Sequence, residues 1–151
     1  KCPEGWSLVT LDEEQIVGYW SFFSLSDVLQ RALETGDLLD SQITASNVHR
    51  IGEAREHVIY IVMITHHPSY SWAKKRIFRL LMRSLAQRLC RLVDGGATIQ
   101  RIFANAYTSE GLRLCETLGF SASVAAKQGG TVYSADLDGV LLERLRRLAN
   151  A

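Results

Sequence analysis

Residues 58 to 64 read Val-Ile-Tyr-Ile-Val-Met-Ile, and the assignment of the fold turns on them. An uninterrupted apolar run of strand length suits a strand covered on both faces in the middle of a sheet. Thr65-His66-His67-Pro68-Ser69-Tyr70-Ser71 follows, and then Ile77, Leu80, Leu81, Leu85, Leu89 and Leu92 keep a 3.6-residue period up to Gly95-Gly96. That period predicts a long helix with one apolar face, and the glycine pair predicts its end.

Upstream, residues 6–11 and 15–23 are rich in aromatic and β-branched residues and flank the acidic Asp12-Glu13-Glu14, which predicts an antiparallel hairpin with a solvated turn. Ser26 or Asp27 can cap a short helix carrying Val28, Leu29, Ala32 and Leu33, with Gly36 placed to end it. A second, weaker helical turn is expected between Thr44 and Gly52, and Asp37-Leu38-Leu39-Asp40 before it matches no element. Downstream come a strand at 99–107, a helix at 109–118 stopped at Gly119, a hairpin about Gly129-Gly130, and a helix carrying Leu141, Leu142, Leu145 and Leu148. The order implies an α/β (α+β) fold with a mixed, mostly antiparallel sheet flanked by helices.

The chain has 151 residues, with 17 Lys and Arg against 16 Asp and Glu, the size of one domain. At this length one core buries roughly 68–70% of the unfolded surface, so neither disulfides nor a structural metal is required. Cys2, Cys90 and Cys115 are odd in number and form no C-x-x-C pair, which argues for a reducing, cytoplasmic setting and no metal site. No run approaches the roughly 18 apolar residues of a membrane span, and the first residues lack the apolar core of a signal peptide. The net +1 hides a segregation. Residues 57–93 hold no acid and seven cations (Lys74, Lys75, Arg76, Arg79, Arg83, Arg88 and Arg91), and the rest of the chain sums to −6. This excludes an extended nucleic-acid track and leaves room for a local anion site. Cations stacked at a helix N-terminus, where the dipole is already positive, are disfavoured by roughly 0.3–1 kcal/mol each unless an anion or solvent relieves them.

Two segments resemble the signature regions of the GNAT superfamily of N-acetyltransferases. Val62-Met63-Ile64-Thr65-His66-His67-Pro68-Ser69-Tyr70, followed by Leu80-Leu81-Met82-Arg83-Ser84-Leu85, resembles the central strand, pyrophosphate loop and helix that hold coenzyme A. Ser109-Glu110-Gly111-Leu112-Arg113-Leu114-Cys115-Glu116-Thr117-Leu118-Gly119-Phe120 resembles the family's later helix, which commonly ends in Tyr-Glu-x-Leu-Gly-Phe. The sequence also departs from the pattern. The loop Ser71-Trp72-Ala73-Lys74-Lys75-Arg76 has no glycine where the family usually has two, Cys115 stands where a tyrosine often protonates the departing thiolate, and Thr108 stands where an asparagine is common.

The resemblance implies a single GNAT-like domain over 1–151, with 24–56 as a helical insertion. The family's first strand and helices are not visible ahead of Trp6; they either lie upstream or are replaced by 24–56. It implies an acyl-CoA-dependent N-acyltransferase that takes acetyl-CoA or another acyl-CoA as donor and a small-molecule or protein amine as acceptor. Ile64, Thr65, His66, Ser71, Lys74, Lys75, Arg76, Arg79 and Thr108 would contact coenzyme A, and Cys115, His66 and Glu110 are the catalytic candidates. Glu56 and His57 are further candidate bases by position. Tyr70 and Trp72 would stack on an adenine or pack over the helix end. The aromatics Trp6, Tyr19, Trp20, Phe22 and Phe23 would serve the core, with part of this surface meeting a second copy or a neighbouring domain. The other reading is a GNAT-fold module that no longer transfers acyl groups and senses a ligand or binds a protein.

Overall fold

Strand β4, Glu56–His66, contains the 58–64 run and is covered on both faces from His57 to Tyr60. The computed structural model describes residues 3–11, 15–52 and 55–151, so the acidic turn at 12–14 and Cys2 lie outside the described residues. A 3-10 turn, Pro3–Gly5, leads into β1, Trp6–Leu11, then β2, Gln15–Leu25, and α1, Asp27–Glu34. After β3, Val48–His49, and β4 come a 3-10 turn, Pro68–Ala73, and α2, Lys74–Asp94. The chain closes with β5, Thr98–Ala106; α3, Ser109–Leu118; β6, Ser121–Ala125; β7, Thr131–Asp136; and α4, Gly139–Asn150.

The strands form one sheet in the order β1-β2-β4-β5-β7-β6, with β3 on the edge of β2. Among the described residues five pairings are antiparallel and one, β4–β5, is parallel. The mixed, mostly antiparallel sheet is therefore as expected. The helical turn expected at 44–52 is not formed. Val48 and His49 instead extend the sheet by pairing with Leu25 and Ser24 of β2, because a tertiary edge overrides a weak local helical preference.

The two faces of the sheet are covered differently. Helix α2 lays Ile77, Leu81, Leu85 and Leu89 on one face, against Trp20, Phe22, Ile59 and Ile102, and α4 packs beside it through Leu141 and Leu145. The C-terminus of α4 is tied to α2, where Arg83 Nε and Gln87 Nε2 both donate to the Ala149 carbonyl. On the other face α1 contributes Leu29 and Leu33, which meet Val58, Tyr60, Phe103 and Val132. The aromatics of the first hairpin divide by strand alternation. Trp20 and Phe22 stack in the core with ring centroids 5.5 Å apart, and Trp20 Nε1 donates to Ser84 Oγ, whereas Trp6 and Tyr19 are exposed. No described helix is long and apolar enough to cross a membrane.

Gly18 lets β2 approach β4. A Cβ there would lie 2.5 Å from the Thr65 carbonyl oxygen and 3.1 Å from Leu81 Cδ1. Gly18→Ala is thus expected to lower the unfolding free energy by about 1–3 kcal/mol. Urea denaturation checks this against Thr10→Ala, an exposed strand position expected to stay within ~0.5 kcal/mol of the parent.

Candidate functional site

The parallel pair does not run to its end. β4 and β5 pair from Glu56–Thr98 to Ile61–Ala104, with a register shift between His57 and Val58. Beyond that point β4 follows β2, with Met63 opposite Ser21 and His66 opposite Gly18, while Asn105 and Ala106 follow Val132 and Thr131 of β7. Each strand keeps its antiparallel partner, and the parallel ladder opens into a V at its carboxyl end. At the same place β4 carries a bulge. Its register with β2 passes from Ile61–Phe22 to Met63–Ser21, which leaves Val62 as an extra residue. Such a bulge re-aims backbone groups beside a cleft. The carboxyl ends of strands are also where sheets of this kind take ligands.

The base of the V is apolar. Ile61, Ile64, Ala104, Leu114, Cys115 and Leu118 are among the residues lining a cavity of about 40 Å³. Cys115 is 5% exposed, and burial pushes its thiol up to about 11, so it is fully protonated at neutral pH and a weak acid.

Its rim is charged. The 3-10 turn replaces the glycine loop, and its own structure engages its amides: Tyr70 N–H bonds the His67 carbonyl, Ser69 N–H bonds His67 Nδ1, and Lys74 N–H bonds the Ser71 carbonyl. Ala73 offers α2 no side-chain cap, and Lys74, Lys75 and Arg76 stand exposed on the first turn. Lys74 Nζ reaches Glu110 Oε1 at 2.8 Å, which bridges the first turns of α2 and α3. The Lys74 hydrogen bond first, then the Glu110 amide and the Ser109 hydroxyl, bring the Glu110 carboxyl down to about 2. Thr108 caps α3, its Oγ1 accepting from Gly111 N–H at 3.1 Å.

The structure therefore gathers the end of β4 (Ile64, Thr65 and His66), Ser71, the Lys74 to Arg79 turn, Thr108, Glu110 and Cys115 at one end of the sheet. Two of them have surroundings that the sequence did not announce. Glu110 is an ion-pair partner whose lowered pKa makes it a poor base, and Cys115 is walled in by aliphatic side chains. His57 and Glu56 are not part of this set. They start β4 at its opposite end, where His57 is completely buried with Nδ1 2.9 Å from Ser24 Oγ. Tyr70 packs on the His67 ring and donates to Gln15 Oε1, whereas Trp72 is 80% exposed and covers nothing. Sequence reasoning missed the bulge at Val62 and the Lys74–Glu110 bridge. Gly18, a glycine inside a strand pattern, was the one local signal of a close backbone approach near the cleft.

No protein-family model matches the sequence, and no curated protein does. Solved structures match it in shape. A bacterial toxin aligns with a TM-score of 0.52 at 16% identity over 90% of this chain, which spans 65% of that protein's length. A putative acetyltransferase of the GNAT family from Desulfovibrio desulfuricans aligns at 0.50 and 15% identity, covering 89% of this chain and 70% of the other. The loading GNATL domain of CurA from Lyngbya majuscula aligns at 0.51 and 13% identity, covering 89% and 77%. The architecture is that of the GNAT superfamily.

The raised thiol of Cys115 has a consequence for stability. An unfolded cysteine with its ordinary value of 9.0 loses its proton before the folded one near 11, so the unfolded state binds fewer protons in between. The contribution is present below pH 9 and is lost as the pH rises from about 9 to about 11, on the order of 2–3 kcal/mol at 1.36 kcal/mol per unit. Urea unfolding at pH 8 and pH 10 should show a smaller alkaline loss in Cys115→Ala than in the parent chain.

Proposed function

We propose that this GNAT-fold chain is an acyl-CoA-dependent N-acyltransferase that carries its donor between the splayed ends of β4 and β5. The observation that supports it best is the V itself, with a bulge at Val62, an apolar base and an adjoining cationic helix start. The β4 segment from Val62 to Thr65 has no ladder partner in β5 among the described residues, so its backbone on that side is free to hold an amide-bearing arm. The apolar base suits a short acyl chain and the sulfur.

The pyrophosphate has to be held differently from the family pattern. The amides of Ser69, Tyr70 and Lys74 are already bonded, so the negative charge falls to the side chains of Lys75, Arg76 and Arg79 and to the α2 dipole. Lys74 can join them once it leaves Glu110. In the transfer step the free amine attacks the thioester carbonyl carbon, the C–N bond forms, the C–S bond breaks, and the sulfur leaves with the electron pair. Burial makes Cys115 a weaker acid than an ordinary solvated thiol, so the departing thiolate leaves without taking a proton from it. Cys115 then serves as apolar wall beside the sulfur. His66, at the mouth, is the remaining side chain placed to accept the amine's proton, directly or through water.

The second reading, a module that binds coenzyme A or another anion without transferring an acyl group, is favoured by the glycine-free turn and the buried Cys115. Calorimetric titration with coenzyme A, acetyl-CoA and longer acyl-CoAs tests the donor site, and turnover with amine acceptors separates the two readings. Lys75→Ala/Arg76→Ala/Arg79→Ala is expected to weaken coenzyme A binding at least tenfold and to flatten its salt dependence. No binding by the well-folded parent chain, or an unchanged affinity in the triple variant, would overturn the donor site.

The bridge across the rim carries its own prediction. Glu110→Gln releases Lys74 toward an incoming phosphate and should tighten coenzyme A binding a few-fold, whereas Lys74→Ala should weaken it. Both are read by the same titration.

A further inference from the structure

The narrow end of the V does not close on solid packing. Ile61 and Ala104, the last pair of the parallel ladder, both belong to the wall of the apolar cavity of about 40 Å³. Ile64, in the β4 segment that has left β5, completes the wall on the side of the fork. Ala86 and Leu89 of α2 face it from the helix layer, and Cys115 of α3 closes another side.

The two sides of this void differ in exposure. Ala86 and Leu89 are each 1% exposed, whereas Ile61, Ile64 and Ala104 are half-buried. The void is therefore sealed on the α2 side and reached from the V. Every residue lining it is apolar apart from Cys115, whose thiol stays protonated. An ordered water needs two to four polar partners, and this lining offers none, so the void stays dry. Interior voids are few because the atoms around them lose contacts, and this one falls where the two strands part.

The direction of the donor sets what would reach it. With the phosphates at Lys75, Arg76 and Arg79 on the rim and the amide-bearing arm along Val62 to Thr65, the thioester comes last, at the fork. Its acyl carbons then face the void. One water-sized group needs roughly 10–15 Å³ of such space, so the void takes about three. Acetyl brings a single carbon past its carbonyl and would leave most of it empty. Butyryl brings three. A terminal carboxylate, as in succinyl, would lose its water among side chains that offer no cation and no strong donor.

We propose that this void is an acyl pocket that selects an unbranched, saturated acyl group of about four carbons over acetyl and over acyl groups that end in a charge. Ala86 is its specificity-determining residue, because a larger side chain there would fill the void from the helix side. The assignment rests on the acyltransferase reading, yet it concerns the acyl group and not the phosphates.

The test is calorimetric titration of the 151-residue chain with free coenzyme A and with acetyl-, butyryl-, hexanoyl- and succinyl-CoA. The acetyl and butyryl thioesters of N-acetylcysteamine, which lack the phosphates, are run beside them. Butyryl-CoA is expected to bind about tenfold tighter than acetyl-CoA, from the burial of two further methylenes, and at least tenfold tighter than succinyl-CoA. Ala86→Leu should bring the butyryl-to-acetyl affinity ratio to within twofold of unity, and the smaller Ala86→Val should lower it in part. Leu89→Ala, which enlarges the void, should move the optimum to hexanoyl-CoA. Acetyl and butyryl affinities within twofold of each other in the parent chain, succinyl binding as tight as butyryl, or an unchanged ratio in folded Ala86→Val would overturn the proposal. Coenzyme A binding without any chain-length preference would overturn the pocket and leave the donor reading standing. A butyryl preference among the N-acetylcysteamine thioesters without coenzyme A binding would support the pocket and sink the donor reading.

Discussion

The structure depends on one strand having to satisfy two partners of opposite direction. β4 is antiparallel to β2 along most of its length and parallel to β5 for only its first half. Beyond Ile61–Ala104 the parallel pairing ends, while β4 stays paired with β2 and β5 with β7 on their other edges. The extra residue at Val62 falls at that point and adds local twist. The cleft is thus a result of how the sheet is paired, and the apolar layer under it holds the two walls in place.

Helix α2 couples this cleft to the rest of the molecule. Its apolar stripe seals one face of the sheet, with Ile77, Leu81, Leu85 and Leu89 at most 2% exposed, and this fixes where its first turn must lie. That turn reaches the rim of the V with its cations exposed and its dipole positive. The turn ahead of α2 has no glycine, and its Ser69, Tyr70 and Lys74 amides are bonded within the turn, so the exposed polarity at this end is that of long cationic side chains. Glu110 lies in the same surroundings, and the Lys74 hydrogen bond, with the α3 amide, holds its carboxyl well below the usual carboxylate range.

Much of this was legible in the sequence, and the errors have physical causes. The 58–64 run was readable as a central strand from its unbroken apolar character, although the cover on both faces ends at Tyr60 and Met63 is exposed. Helix α2 was readable from its period, and the Leu118-Gly119-Phe120 ending from a glycine that takes φ +85° as the helix stops. The turn at 44–52 was misread because two residues, Val48 and His49, answer to a strand edge supplied by Ser24 and Leu25. Of the two roles expected for Trp72, packing over the helix end is not found, because the 3-10 turn leaves the side chain 80% exposed. Glu110 was weighed as a base on position alone; nothing local to it announces Lys74, which is 36 residues away.

The sequence by itself determined the order of the elements outside 44–52, which faces are apolar, and the concentration of seven cations in a segment without acids. These are properties of neighbours along the chain, set by backbone propensity and by the 2.0 and 3.6 periods. Only the tertiary structure decided where β4 and β5 part, that Lys74 meets Glu110, that Cys115 is buried, and that Asp40 meets Gln128 across 88 residues. Each of those depends on distant segments being brought together by the shared core, and local sequence carries no record of such meetings.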